Sequence, residues 1–129
     1  MQTSNFERWV LATAAAFAML AVLIGAFAAH GLKQSLSPYA LGIIETAVRY
    51  QMYHALALFI VALVSLSGRF STGGLKLAAI AFASGTILFS GSLYLIALTG
   101  TGWFGAITPI GGISFILGWL ALMVCALRA

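Results

Sequence analysis

Trp9–Ala29, WVLATAAAFAMLAVLIGAFAA, decides the fold class. These 21 residues carry no charge. As a helix they reach about 32 Å at 1.5 Å per residue, which matches a hydrocarbon core of about 30 Å. Arg8 ahead of the run and Ala26-Phe27-Ala28 near its end superficially resemble a signal peptide. A signal h-region is only about 7–15 residues, so the run reads as an uncleaved first span.

Three more stretches of the same kind follow, and the spans are placed at about 9–30, 48–67, 75–98 and 104–127. Each is continuously apolar and far longer than the ~10 alternating residues of a barrel strand, which excludes a transmembrane β-barrel. The whole chain agrees: 63% of its 129 residues are hydrophobic and 6% are charged, against roughly 25% charged in a soluble domain. Two acids and six bases do not make a water-facing surface. The expected architecture is all-α, a single transmembrane domain over residues 1–129, folded as an integral membrane antiparallel four-helix bundle.

The connections are short. Ser37-Pro38 is a helix-start signal, with serine as the N-cap and proline in the first turn. A helix from Pro38 to Ser67 is 30 residues, about 45 Å. Its first part, about 38–48, is therefore expected to protrude or to lie at the interface. Arg8, Arg69, Lys76 and Arg128 fall at the termini and the second loop, Lys33 and Arg49 on the other side. Four bases against two place both termini in the cytoplasm. The net charge of +4 is scattered singly, with no basic stripe, so nucleic acid is not an expected partner. Trp9 and Trp103 suit an interfacial belt, whereas Trp119 sits too deep for one.

Small residues at three- and four-residue steps mark where membrane helices approach closely. Span one shows Ala14, Ala18, Ala21, Gly25 and Ala28; span four shows Gly111, Ser114, Gly118, Ala121 and Cys125. Span three adds Ala78, Ala81 and Gly85, then Ser92 and Thr99 at sevens. This heptad step predicts left-handed packing through small residues. Cys125, the only cysteine, reads as one of them and allows no internal disulfide. Thr86, Ser90 and Tyr94 form a second polar face on span three, read as inert hydroxyls bonded to their own helix.

The candidate site is Glu45-Thr-Ala-Val-Arg-Tyr-Gln-Met-Tyr-His54. Glu45 and Arg49 have the spacing of an intrahelical ion pair. Glu45, Thr46, Arg49, Tyr50, Tyr53 and His54 share one half of the helix, with Gln51 slightly outside it. His30, at the end of span one on the same side of the membrane, is expected to approach His54 or the Glu45–Arg49 pair. Ionisable groups at this depth are costly and often functional, so His30, Glu45, Arg49, Tyr50, Tyr53 and His54 are the candidate ligand, lipid or polar-network residues. A bis-histidine haem through His30 and His54 is disfavoured because one partner ends a helix. No zinc motif, phosphate loop, nucleophile triad or carboxylate pair is present, so no cofactor, metal or catalytic residue is expected.

Four strings carry a family resemblance: Gly25-Ala-Phe-Ala-Ala-His-Gly-Leu32, Thr46-Ala-Val-Arg-Tyr-Gln-Met-Tyr-His-Ala55, Leu88-Phe-Ser-Gly-Ser-Leu-Tyr-Leu95 and Ile107-Thr-Pro-Ile-Gly-Gly112. On them the chain resembles domain of unknown function 423, also called uncharacterised protein family 0382, whose members are small four-span bacterial inner-membrane proteins. Ala28 departs from the family's usual glycine. The resemblance implies an inner-membrane location and carries over no functional residue. The function expected is that of a non-enzymatic structural or accessory protein. It would sit among membrane lipids, self-associate as a homo-oligomer or dock on a larger membrane complex. The alternative is lipid or small-ligand binding, or proton or solute transport, at the polar cluster.

Overall fold

Three serines set the starts of the first three helices. Ser4 precedes α1 (Asn5–His30), and its N–H donates to Glu7 Oε2 at 2.6 Å. Ser37 precedes α2 (Pro38–Leu66); its Oγ accepts from the Ala40 N–H at 3.1 Å, with Pro38 in the first turn. Ser71 does the same for α3 (Thr72–Thr99), accepting from the Gly74 N–H at 3.4 Å. α3 stops at Gly100, whose φ of +69° is left-handed and whose N–H returns to the Ile96 carbonyl at 2.8 Å. Glycine adopts that conformation without steric cost. A 3-10 turn, Gly102–Ala106, leads into α4 (Thr108–Leu127), with Pro109 in its first turn. The structure, a computed structural model, describes residues 3–129, and all regular structure among them is helical.

Each of the four helical segments is long and apolar enough to cross a membrane. Packing follows chain order: α1 lies on α2, α2 on α3 and α3 on α4, while the 3-10 turn rests on α3 and α4. α2 and α3 are therefore the inner pair. Within their apolar windows 44% and 39% of residues are buried, against 17% and 22% in the segments of α1 and α4. The outer helices turn large side chains such as Met19, Phe27, Ile113 and Ile116 outward. In water that surface would be prohibitive; in lipid it is the ordinary outside of a protein.

The main core draws on all four helices, through Val10 and Ala14, Leu58 and Val61, Leu75 and Phe82, and Phe115 and Cys125. A smaller core joins Ala28, Ala40, Ile44 and Ala97 at the other end. The small-residue stripes face inward. Ala14, Ala21 and Ala28 are buried on α1, with Ala18 and Gly25 half-buried. Gly111, Gly118 and Cys125 are buried on α4, with Ser114 and Ala121 half-buried. On α3, Ala78, Ala81, Gly85 and Ser92 are buried, but Thr99 is exposed at the helix end.

At Gly111 the approach of α4 to α3 is closest. A Cβ there would lie 2.4 Å from the Phe89 backbone nitrogen. Gly85 and Gly118 make room for rings: an added Cβ would sit 2.6 Å from Phe115 and 2.6 Å from Phe82 respectively. Hydroxyls line the same seam. Ser114 Oγ donates to the Ala81 carbonyl at 2.7 Å and pairs with Ser84 at 3.1 Å, and Ser92 pairs with Thr108 at 2.6 Å. Close backbones with small hydroxyls between them are how helices associate where the hydrophobic effect offers no drive.

Candidate functional site

The polar cluster divides into an outer and an inner level around α2. At the outer level Arg49 Nη2 meets Glu45 Oε1 at 2.6 Å, with side chains 54% and 69% exposed. A pair that open lies on the outer surface of the protein, outside its packed core. Tyr53 is also exposed, and Tyr50 is partly so.

On the inward face the environment changes: Gln51 and His54 are each only 4% exposed. Gln51 has both ends engaged. Its Nε2 donates to the Phe17 carbonyl of α1 at 2.8 Å, and its Oε1 accepts from the Tyr94 hydroxyl of α3 at 2.7 Å. An amide carries donor and acceptor on separate atoms, so one side chain ties three helices together. Beside it, Ser90 Oγ donates to the Ala47 carbonyl of α2 at 2.7 Å.

His54 is held from three directions. Nδ1 lies 2.7 Å from the Tyr50 carbonyl, and Trp119 Nε1 of α4 donates to Nε2 at 3.1 Å. The tautomer that satisfies both partners has its proton on Nδ1 and a free acceptor at Nε2. The Phe115 ring stacks on the imidazole, with centroids 3.5 Å apart and planes 7° apart. Tyr50 in turn rests on Phe89, centroids 4.8 Å apart. Among the described residues no buried side-chain nitrogen or oxygen lacks a partner.

Tyr50, Tyr53, His54, Phe89, Phe115 and Trp119 line an open groove of about 690 Å³ between α2 and α4. The groove exists because α2 and α4 both lean on α3 rather than closing on each other. Its walls are aromatic, and its buried imidazole nitrogens are already bonded. Its chemistry suits an apolar chain or ring, not an ion.

His30 is not part of this arrangement. Contacts between α1 and α2 run Glu7–Ser65, Phe17–Gln51 and Gly25–Val48, so His30 lies level with the start of α2. That is roughly 16 Å along the axis from His54. His30 and His54 thus do not approach each other, which also removes the already disfavoured haem pairing, while the other expected neighbourhood, Glu45–Arg49, stays compatible with this register. Among the described residues no three His, Cys, Asp or Glu side chains gather as a metal site. A second correction concerns Ser90 and Tyr94. They are not inert: both reach α2, and only Thr86 bonds its own helix, at the Phe82 carbonyl 2.9 Å away.

Three contributors were not singled out from the sequence. Gln51 was set slightly outside the polar half, although an uncharged amide in an apolar span is a strong candidate for the helix interface. Trp119 was noted as too deep for a belt, and that depth is the signal that its indole N–H has a protein partner. Glu7 accepts from Ser65 Oγ at 2.6 Å and joins the start of α1 to the end of α2; its sequence signal was the Ser4–Glu7 spacing of a capping box.

Fold and site together define a multi-pass helical membrane protein whose inner helices share a closed polar network. Residues 24–112 match the family described as "Protein of unknown function (DUF423)", and the chain belongs to that family. It is 44% identical over 113 residues to the UPF0382 membrane protein YwdK of Bacillus subtilis, covering 86% of this chain and 89% of the relative. A UPF0382 membrane protein of Staphylococcus epidermidis is 48% identical over 111 residues, covering 86% and 88%. The UPF0382 inner membrane protein YgdD of Escherichia coli is 38% identical over 122 residues, covering 95% and 92%. No solved structure matches the chain.

Proposed function

We propose that this protein is a non-enzymatic structural or accessory component of the bacterial inner membrane that self-associates or docks on a membrane complex. The observation that carries this reading is where the polar groups point. Gln51, His54, Ser90 and Tyr94 all bond to protein, so the deep polar groups hold helices together and none is left aimed at a substrate. What the molecule offers outward is apolar helix surface, which suits association within the bilayer. The location draws support from the Escherichia coli relative, named an inner membrane protein.

In this reading the four helices alternate direction, which is supported for α1 and α2 by Glu7–Ser65 and Gly25–Val48, for α2 and α3 by Ala47–Ser90 and His54–Phe82, and for α3 and α4 by Phe89–Gly111 and Phe82–Gly118. They pack left-handed through the small-residue stripes, and both termini face the cytoplasm, in line with the distribution of bases. Because the stripes face inward, association with another chain uses the outer surfaces instead. Light scattering in lipid nanodiscs, with in-cell crosslinking, tests the proposal. A particle above one chain, or a reproducible crosslinked membrane partner, is expected. A strict monomer that crosslinks to nothing overturns it.

One observation favours a second reading, a lipid or small-ligand site: the aromatic groove between α2 and α4 stays open beside the buried network. Proton transfer draws no such support, because both nitrogens of His54 are engaged with fixed partners.

A further inference from the structure

A second cleft lies away from the aromatic groove, where α1 ends and α2 begins. It holds about 360 Å³. Ala28 and Ala29 form one wall, and Leu41, Ile44 and Val48 the other. Small side chains keep it open: at its deep end Gly25 approaches Val48 so closely that an added Cβ would lie 3.3 Å from the valine methyl. From Leu41 to Val48 the cleft follows two turns of α2, about 10 Å. Two charged side chains, Lys33 and Glu45, border it. Glu45 is already paired with Arg49 at 2.6 Å, and among the described residues Lys33 has no carboxylate within ion-pairing distance. The rim therefore carries one uncompensated positive charge above an apolar slot.

The geometry points to a binding site for one anionic glycerophospholipid, with an acyl chain in the Ala28–Val48 slot and its phosphate on the Lys33 ammonium. Neither half suffices alone. The slot is apolar and accepts a hydrocarbon chain, and a lysine beside a membrane surface attracts anionic headgroups. A zwitterionic headgroup gains less, because its cationic end finds Glu45 already neutralised by Arg49.

The test uses the full chain in nanodiscs of phosphatidylcholine with one-fifth phosphatidylglycerol, released into native mass spectrometry so that retained lipids are counted. The wild type is expected to retain one phosphatidylglycerol in preference to phosphatidylcholine. Lys33→Gln should lower that preference roughly five-fold. Lys76→Gln, which changes the same charge beside the Phe6 ring, should leave it unchanged. Ala29→Leu, at an exposed position that does not enter the core, should reduce retention of both lipids by filling the slot. An unaltered preference in Lys33→Gln overturns the proposal, as does an equal loss in Lys76→Gln. Displacement of the lipid by millimolar inorganic phosphate would show a phosphate site instead and would also overturn it.

Discussion

The seam between α3 and α4 and the seam between α1 and α2 both arise from small-residue stripes with the same three- and four-residue steps, yet they are built differently. On α4 the stripe is anchored by Gly111 and Gly118, and a Cβ at Gly111 would lie 2.4 Å from the backbone of α3. On α1 the stripe is mostly alanine, and its one glycine, Gly25, leaves 3.3 Å to a valine methyl. Glycine lets backbones touch, while alanine methyls hold them apart. The first seam closes on serine and threonine hydroxyls. The second is tied by Gln51 and Glu7 and leaves a cleft at its end. A stripe of small residues thus shows which face is inward, and the choice between glycine and alanine within it shows how close the neighbour comes.

The largest expected effect comes from adding a methyl at the tighter seam's closest backbone approach. Gly111→Ala places a methyl against the Phe89 backbone, which has no rotamer to yield. Overpacking of this kind costs about 1–3 kcal/mol. Reversible unfolding in mixed micelles should show that loss, and an unchanged midpoint would mean the two seams do not differ as described. Next is Gln51→Leu, which removes one of the polar ties between α1 and α2 and strands the Tyr94 hydroxyl. A loss of about 1–2 kcal/mol is expected, with amide exchange rising in α1 and not in the α3–α4 seam. Faster exchange in α4 instead would break the comparison.

Tyr94→Phe removes only the α3 end of the Gln51 link and should cost about 0.6 kcal/mol, the average for such bonds in a membrane protein. Combined with Gln51→Leu it should add nothing further, since the two side chains share one bond. The smallest effect is expected for Gly25→Ala. Val48 needs to give by only a few tenths of an ångström, and alanine is the better helix former by about 0.8–1 kcal/mol. Stability should change by less than about 0.5 kcal/mol in either direction, and a loss as large as that of Gly111→Ala would erase the distinction between the seams.

The polar cluster shows where reading along one helix stops. Spacing placed Glu45 and Arg49 as a pair, because an i,i+4 contact needs only its own helix. Helical periodicity put Gln51 at the margin of the polar half, and the structure makes it the centre. What a side chain bonds to depends on where α1 and α3 stand, and no periodicity of α2 contains that. His54 is a similar case. Its depth was legible from its position, but its partners are its own helix's carbonyl and an indole 65 residues away. For His30 two neighbours were open, and the register of α1 on α2 decides against one of them: it stands about three turns from His54, nearer the level of Glu45.

The sequence by itself determined the number of membrane-length helices, the start of α2, the inward faces of the stripes and the apolar surroundings. These follow from local quantities: the length of an uncharged run against a bilayer, a serine before a proline, a small residue every third or fourth position. Only the tertiary structure decided which polar groups meet, that α2 and α3 are the inner pair, and that one seam closes while the other leaves a cleft. Those outcomes depend on the register and separation of helices packed side by side. Differences of a single methyl set them, and a one-dimensional pattern does not carry that distance.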